Sequence, residues 1–183
     1  MGRTIQHLEK EIKVKKKRLL SLFSGCGGMD LGFEGGFTVM PDSVPESFYE
    51  SGVAKKKKGK AFLKFHNIET VFANDILDVA KKAWIPFFES RGHSSDVFLK
   101  ESVVDLVKKA EKGEFSFPED IDIVTGGFPC QDFSLAGKRK GFDSHRDHNG
   151  KILESEEPSP ETRGQLYMWM RKVIELTDPK VFI

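Results

Sequence analysis

The sequence has few cysteines, tryptophans and tyrosines, and it has no long apolar stretch. Two residues of each of these three types occur among 183. A membrane-spanning helix needs a run of about 18 or more apolar residues, and no such run is present. The first residues, Met1-Gly2-Arg3-Thr4, lack the apolar core of a secretory signal. These absences argue against a membrane or secreted protein and predict a cytoplasmic one.

Cysteine and histidine content also limits the chemistry. The two cysteines fit a reducing compartment. Two cysteines and five histidines do not form a zinc site by their spacing, so no metal is expected. The formal charge is nearly balanced at +1, and 38% of the residues are apolar. One soluble globular domain is therefore predicted.

The most informative segment is Gly-Gly-Phe-Pro-Cys-Gln-Asp-Phe-Ser at residues 126–134. An apolar, β-branched run at residues 121–124 leads into it, which is typical of a buried strand that ends in a tight turn. Open α/β sheets carry their chemistry at the carboxyl ends of the strands, so Cys130 is placed for use as a nucleophile. A free cysteine is usually a small buried hydrophobe, and this segment alone favours neither interpretation.

A second segment joins a strand to a glycine-rich turn. Leu19 to Phe23 has the pattern of a buried strand, and Ser-Gly-Cys-Gly-Gly at residues 24–28 follows it. A strand, a glycine-rich turn and a short helix in this order are typical of a nucleotide-type cofactor site, although the third glycine of the dinucleotide fingerprint is absent. A further strand at residues 70–74 ends before Asp75, where an acid can hold ribose hydroxyls. The glycine-rich turn, Asp75 and Cys130 all lie at strand ends, and together they are specific evidence for such a site. The turn alone is weak evidence.

These segments resemble the motifs of the DNA (cytosine-5) methyltransferases, which use S-adenosylmethionine. Residues 23–28 resemble the cofactor loop of that family, and Asn74-Asp75 resembles its ribose-binding motif. Residues 127–134 resemble its Pro-Cys nucleophile motif, and residues 137–142 resemble the mobile loop that follows. Arg163-Gly164-Gln165-Leu166 resembles the next motif. The order of the motifs matches as well, so the chain is identified as a member of this family.

The resemblance implies a three-layer α/β fold, the Rossmann-like core of S-adenosylmethionine-dependent methyltransferases with a mostly parallel sheet. Residues 19–183 would form part of this catalytic domain, after a basic helical extension at residues 1–18. The core would be incomplete at its carboxyl-terminal end, because the family's Glu-Asn-Val motif and target-recognition domain do not occur in this sequence. Strands are predicted near residues 19–23, 70–74, 97–99, 121–125 and 180–183.

Helical spacing of apolar residues predicts three helices of the core. They cover residues 76–88, 102–112 and 165–176. The last helix carries a stripe that is predicted to be core: Leu166, Trp169, Val173 and Leu176.

Two stretches are longer than the family's usual links. Residues near 37–69 contain four consecutive lysines between prolines and glycines, and they are predicted to be a surface insertion with a flexible tip. Residues near 143–161 are acidic and contain two prolines, so they are predicted to be mobile and to avoid steady contact with DNA. Lys15 to Arg18 form a basic run, which is usually a solvated chain end and less often a phosphate contact.

The resemblance also implies a mechanism. Cys130 would add to carbon 6 of a cytosine that has left the duplex, and carbon 5 would then take the methyl group of S-adenosylmethionine. Loss of the carbon-5 proton would release Cys130. Arg163 would hold a phosphate or a base oxygen, and a surface ion pair with Glu161 or a neighbour is an alternative of equal weight.

Site residues carried over from the family fall into two groups. Phe23 and Ile76 would flank the adenine of the cofactor, although Phe23 could instead be plain core. Cofactor contacts are implied at Phe23, Gly25, Cys26, Gly28, Asp75, Ile76, Glu101, Gly127, Pro129 and Leu166. DNA contacts are implied at Gln131, Ser134, Lys138, Arg139 and Lys140.

The expected role of the chain follows from what the motifs leave out. Without the Glu-Asn-Val acid and the recognition domain, the chain is expected to be a fragment or one subunit of a split restriction-modification enzyme. It would be inactive on double-stranded DNA until a second polypeptide supplies them, in the bacterial cytoplasm near the nucleoid. One alternative is a non-catalytic remnant that binds cofactor or DNA weakly. Another is a cysteine hydrolase, which ranks last because no histidine lies near a comparable strand end.

Overall fold

The structure, a computed structural model, describes residues 15–128, 151 and 165–183. In chain order its elements are β1 (Lys17–Leu22), α1 (Gly28–Glu34), β2 (Thr38–Val39), α2 (Tyr49–Gly52), β3 (Val53–Lys57), β4 (Lys60–Leu63), β5 (Ile68–Asp75), α3 (Asp78–Glu89), β6 (Phe98–Lys100), α4 (Val103–Glu111), β7 (Ile123–Gly126), α5 (Leu166–Thr177) and β8 (Val181–Phe182). Short 3-10 turns cover Pro41–Ser43, Glu46–Phe48 and Ser95–Val97.

The central sheet has five strands in the order β6-β5-β1-β7-β8. Every pairing in it is parallel. Strand β1 lies in the middle of the sheet, β5 and β6 follow on one side of it, and β7 and β8 follow on the other side. A reversal of this kind beside the first strand creates the crevice in which open α/β sheets bind ligands. All five strands lie where the sequence predicted them, within a few residues.

Two apolar clusters cover the two faces of this sheet. One packs α4 and α5 against the central strands, with Val104, Val173 and Val124 fully buried. The other packs α3 against the opposite face, where Trp84 and Phe88 are fully buried and stack with ring centroids 4.1 Å apart. The strands are apolar on both sides because helices cover both sides. The three-layer α/β fold predicted from the sequence is confirmed.

The first insertion, predicted to be a surface insertion with a flexible tip, contains regular secondary structure. Strands β2, β4 and β3 form a separate antiparallel sheet in that order. The β3–β4 hairpin turns at Lys58 and Gly59, whose φ angles of 48° and 70° are both positive. A two-residue turn with positive φ at both positions matches the right-handed twist of a hairpin. The insertion is closed at its base by an antiparallel bridge between Gly35 and Phe65.

Several boundaries and side chains also differ from prediction. Helix α3 begins at Asp78, so Ile76 precedes the helix. Leu176 was predicted to be core, but it is 50% exposed because the buried stripe of α5 ends at Val173. Strand β1 begins at Lys17, inside the segment predicted to be an extension.

The basic run before β1 is held by ion pairs. Lys15 contacts Asp120 at 3.1 Å and Lys16 contacts Glu69 at 3.5 Å. Both lysines are largely exposed, as in a solvated segment. The predicted amino-terminal helix and all of the predicted 143–161 insertion except residue 151 lie outside the described residues. Within the described ranges, no helix is long and apolar enough to cross a membrane.

Candidate active site

Four neighbouring strands bring the sequence motifs to one edge of the central sheet. Leu22, the last residue of β1, pairs with Asn74 of β5 on one side and with Gly126 of β7 on the other. Asp75 at the end of β5 pairs with Lys100 at the end of β6. The cofactor-loop, ribose and nucleophile motifs therefore leave the sheet side by side, as parallel strands require.

The loop after β1 is a tight turn built from backbone hydrogen bonds. The N–H of Ser24 donates to the carbonyl of Asn74 at 2.9 Å, and the N–H of Gly27 donates to the carbonyl of Ser24 at 3.0 Å. Gly25 and Gly27 have φ angles of 57° and 85°, a region that strains residues with a side chain. A Cβ atom on Gly27 would lie 2.3 Å from the Phe88 ring, whereas one on Gly25 or Gly28 would meet nothing within 4 Å. Of these three glycines, only Gly27 has no room for a Cβ atom, so Gly25 and Gly28 leave space for a ligand.

Asp75 ties this loop to the next strand. One carboxylate oxygen, Oδ2, accepts the N–H of Gly25 at 2.9 Å. The other oxygen, Oδ1, accepts the N–H of Leu77, also at 2.9 Å. Each carboxylate oxygen can accept more than one bond, so both retain capacity for a hydroxyl donor. The carboxylate is thus held in one orientation, half-buried at the sheet edge.

A buried carboxylate that sequence reasoning missed lies beneath the same loop. Asp30 in the first turn of α1 has no exposed surface. Its Oδ2 atom accepts the hydroxyl of Ser24 at 2.5 Å and the indole N–H of Trp84 at 2.7 Å. Burial raises the pKa of Asp30, and these hydrogen bonds oppose the rise because they favour the charged form. Asp30 therefore joins the loop, α1 and α3. The sequence feature that could have identified Asp30 is an acid on the face of α1 that packs against the sheet.

The end of β6 is fixed by Asn74. Its side-chain amide donates to the carbonyls of Leu99 and Glu101, at 3.0 and 2.7 Å. The carboxylate of Glu101, predicted to contact the adenine amino group, lies 2.5 Å from Nζ of Lys109. The carboxylate predicted to contact the adenine is thus already paired with a lysine on α4.

The remaining predicted cofactor residues in the described ranges differ in exposure. Phe23 is half-buried, has a φ of 54°, and packs against the apolar cluster of α4 and α5. Ile76 is also half-buried at the end of β5. Leu166 is only 3% exposed and belongs to the same cluster as Phe23. Cys26 is exposed and carries a free thiol, and Gly127 is exposed just after β7.

Eight predicted site residues lie outside the described residues. They include the predicted nucleophile and all of the predicted DNA contacts. These residues are Pro129, Cys130, Gln131, Ser134, Lys138, Arg139, Lys140 and Arg163. For Cys130 the structure gives the strand that leads to it, β7, in the centre of the sheet beside β1.

Comparison with known proteins shows which family the chain resembles. The family model for C-5 cytosine-specific DNA methylases matches residues 17–183. The Type II methyltransferase M.NgoFVII of Neisseria gonorrhoeae is 30% identical over 168 residues, which are 92% of this chain and 29% of that protein. M.BspRI of Lysinibacillus sphaericus is 34% identical over 138 residues, or 74% of this chain and 28% of that protein.

A third relative shares a larger fraction of its own length with this chain. M.AquIA, a Type II methyltransferase of a Picosynechococcus strain, is 28% identical over 171 residues, covering 92% of this chain and 47% of that protein. The chain thus spans less than a third of the first two relatives and about half of the third. Because the family match covers nearly the whole chain, from Lys17 to Ile183, the chain belongs to the C-5 cytosine-specific DNA methylase family.

Proposed function

We propose that this chain provides the cofactor-binding and nucleophile-bearing part of an enzyme that methylates carbon 5 of cytosine in double-stranded DNA. The observation that carries the proposal is the 2.9 Å hydrogen bond between the Gly25 N–H and the Asp75 carboxylate. It joins two motifs 50 residues apart in sequence at the edge where β7 also ends. The proposed cofactor is S-adenosylmethionine, the methyl donor that this family generally uses.

The residues present fit such a cofactor. The space over Gly25 and Gly28 is open, and a ligand can approach the backbone closely there. Asp75 offers an oriented acceptor for ribose hydroxyls. Phe23 and Ile76 would flank the adenine, with Cys26, Glu101, Gly127, Pro129 and Leu166 as further contacts. When bound, S-adenosylmethionine would supply the methyl group.

The chemical step proposed for this chain belongs to Cys130. Its thiolate would add to carbon 6 of an extruded cytosine, which makes carbon 5 nucleophilic. Expulsion of Cys130 with loss of the carbon-5 proton would restore the ring. Extrusion costs a few kcal/mol, which contacts to the DNA must offset. We assign those contacts to Gln131, Ser134, Lys138, Arg139 and Lys140, and a phosphate or base-oxygen contact to Arg163.

The cofactor assignment is tested by Asp75→Ala. Loss of the carboxylate should weaken binding of S-adenosylmethionine by about 1–3 kcal/mol, the cost of an unmet hydrogen bond to a charged group. This corresponds to a roughly 5- to 150-fold higher Kd in isothermal calorimetry. Asp78→Ala is the matched control, because the Asp78 carboxylate contacts only Lys82 and Lys100 among the described residues. Equal affinity of Asp75→Ala and wild type would remove Asp75 from the site.

The nucleophile assignment is tested with DNA that carries 5-fluorocytosine. Fluorine cannot leave as a proton does, so the enzyme completed by its second polypeptide should remain covalently attached and migrate as a protein–DNA adduct on a denaturing gel. Cys130→Ser should abolish the adduct. Cys26→Ser is the control and should retain it, since Cys26 lies in the cofactor loop. An adduct that persists in Cys130→Ser would refute the assignment.

We further propose that a second polypeptide segment completes the site with an acid near N3 of the base and a sequence-reading domain. The edge of the sheet at β8 can accept a further strand, because Val181, Phe182 and Ile183 are 49–62% exposed there. An added strand would pair with β8 and cover these apolar side chains. Incorporation of tritiated methyl groups into unmethylated DNA should be absent for the 183-residue chain and appear when the complementing polypeptide is added. Robust turnover by the chain alone would contradict this.

The proposed place of action is the bacterial cytoplasm, close to the nucleoid, in a restriction-modification system. The support is that M.NgoFVII and M.BspRI, both from bacteria, are named as Type II methyltransferases.

A further inference from the structure

The β3–β4 hairpin of the insertion carries lysines on one outward face. Antiparallel pairing sets Lys55 opposite Phe62 and Lys57 opposite Lys60, so these side chains share a face of the small sheet. Thr38 of β2 pairs with Phe62 and extends the same face. Together with Lys58 at the turn, these residues line an open groove of about 400 Å³. We call this surface the lysine face: Lys55, Lys57, Lys58 and Lys60 around Phe62 and Thr38.

The opposite face of the hairpin is used for packing. Ala61 has no exposed surface. Nζ of Lys56, whose side chain points to the same side as Ala61, lies 3.6 Å from the centroid of the Tyr49 ring. Lys64 donates to the backbone carbonyl of Glu50 at 3.1 Å. Lys56 and Lys64 therefore stabilise the insertion itself, whereas the lysines of the lysine face do not.

The charges of the lysine face have no carboxylate partner among the described residues. Residues 53–64 contain six lysines and no Asp or Glu, in a chain whose net charge is only +1. Elsewhere, lysines such as Lys16, Lys82 and Lys172 each contact a carboxylate within 4 Å. Like charges directly opposite on paired strands, as at Lys57 and Lys60, destabilise a sheet. A polyanion bound on this face would relieve that repulsion.

The lysine face lies away from the candidate active site. The insertion is anchored where α1 ends and β5 begins, because the N–H of Thr70 donates to the Glu34 side chain at 2.9 Å. The site lies at the other end of β5, at Asp75. Strand β5 has eight residues, so seven steps of ~3.3 Å separate its two ends by about 23 Å. The anchor of the insertion and the candidate active site therefore lie at opposite ends of β5.

We propose that the lysine face binds the phosphate backbone of a DNA duplex without regard to sequence, as a capture surface separate from the catalytic cleft. Lysines neutralise phosphates as point charges and read no base, which suits a contact that holds DNA rather than selects a site. Four of the six residues that line the open groove are lysines, so its charge suits an anionic ligand. The choice of DNA as the polyanion rests on the proposed function.

The test measures binding of the 183-residue chain to a fluorescent 30-base-pair duplex of dA and dT by anisotropy. This duplex contains no cytosine, so target recognition cannot contribute. The variant replaces Lys55, Lys57, Lys58 and Lys60 by Gln. The control removes the same charge elsewhere, at Lys16, Lys82, Lys112 and Lys172. Circular dichroism confirms that each variant is folded.

Salt dependence gives the decisive readout. Each phosphate contact contributes about 0.9 to the slope of log K against log salt, so the variant that lacks four lysines should lose up to about 3.6 from the slope and at least about tenfold in affinity. The control should lose less than about threefold and keep its slope within about 1. Lys58→Asn, which suits the positive φ of the turn, should lower the slope by about 0.9 alone. This single change guards against misfolding of the fourfold variant.

Other outcomes overturn the proposal. Equal losses in the variant and the control would mean that net charge, and not this face, binds DNA. An unchanged slope in both Lys58→Asn and the fourfold variant would exclude the face altogether. If the chain binds duplex RNA of equal length at least about tenfold more tightly than the DNA duplex, RNA replaces DNA as the ligand of this face. The affinity for S-adenosylmethionine should be the same in all variants, so failure of the cofactor assignment would show in calorimetry and leave this comparison intact.

Discussion

Gly27 is the position where a single methyl group should do most damage to the cofactor loop. Its φ of 85° costs an alanine about 1–2 kcal/mol. The new Cβ would also lie 2.3 Å from Cε2 of Phe88 and 2.7 Å from Cδ1 of Trp84. Both rings are fully buried and stacked, so they have little room to move, and overpacking of this kind costs about 1–3 kcal/mol. Gly27→Ala should therefore lower the free energy of unfolding by about 2–5 kcal/mol.

Gly25 and Gly28 separate the strain of the backbone from the clash of the side chain. Gly25 has a φ of 57° but open space around its Cβ position, so Gly25→Ala should cost only about 1–2 kcal/mol. Gly28 has open space and no positive φ, so Gly28→Ala should change stability by less than about 0.5 kcal/mol. Urea unfolding followed by circular dichroism at 25 °C measures all three. If Gly27→Ala is no less stable than Gly25→Ala, the packing argument fails.

Two further predictions concern buried and paired carboxylates. Trp84→Phe removes the indole N–H that Asp30 accepts at 2.7 Å, so the free energy of unfolding should fall by about 1–3 kcal/mol in urea titrations; an unchanged value would refute the link. The ammonium of Lys180 and the N–H of Arg18 lower the pKa of Asp122 from 3.8 to about 2. A lowered pKa stabilises the fold above pH 3.8, and this stabilisation is lost as the pH falls through about 2. Wild type should therefore be more stable than Asp122→Asn at pH 6, and the difference should shrink steadily as the pH is lowered from 3.8 through about 2. Parallel stability curves for the two proteins would contradict this pairing.

The central sheet could be predicted because its strands carry their own signal. Leu19, Leu20 and Leu22 are fully or almost fully buried, and a run of this kind is typical of a strand covered on both faces. The adjacency of the cofactor loop and Asp75 follows from the rule that parallel strands end at one edge. The proximity of the motifs could therefore be predicted from the sheet topology, without knowledge of any side-chain contact.

The folded insertion could not be predicted, because β3 lacks the alternation of a half-buried strand. All of its residues after Val53 are exposed, so lysines follow one another along it. The role of Asp30 could not be predicted for a different reason. Its partner Trp84 lies 54 residues away, and only the packed structure brings the indole to the carboxylate. Leu176 has the helical spacing of a core residue, but the cluster that α5 contacts ends one turn earlier.

The Gly35–Phe65 bridge separates the insertion from the rest of the fold. The chain leaves and returns at neighbouring points, where the N–H of Gly36 donates to the carbonyl of Lys64 at 3.1 Å. Arg91 of the segment after α3 donates to the carbonyls of Gly35 and Gly36, which holds this base in place. A chain that departs and re-enters at one point can lengthen or shorten there without shifting β1 or β5. Natural variation in this protein should therefore accumulate as additions and deletions between residues 37 and 64, and a short turn grafted across Gly36 and Lys64 should yield a minimal form with its central sheet intact.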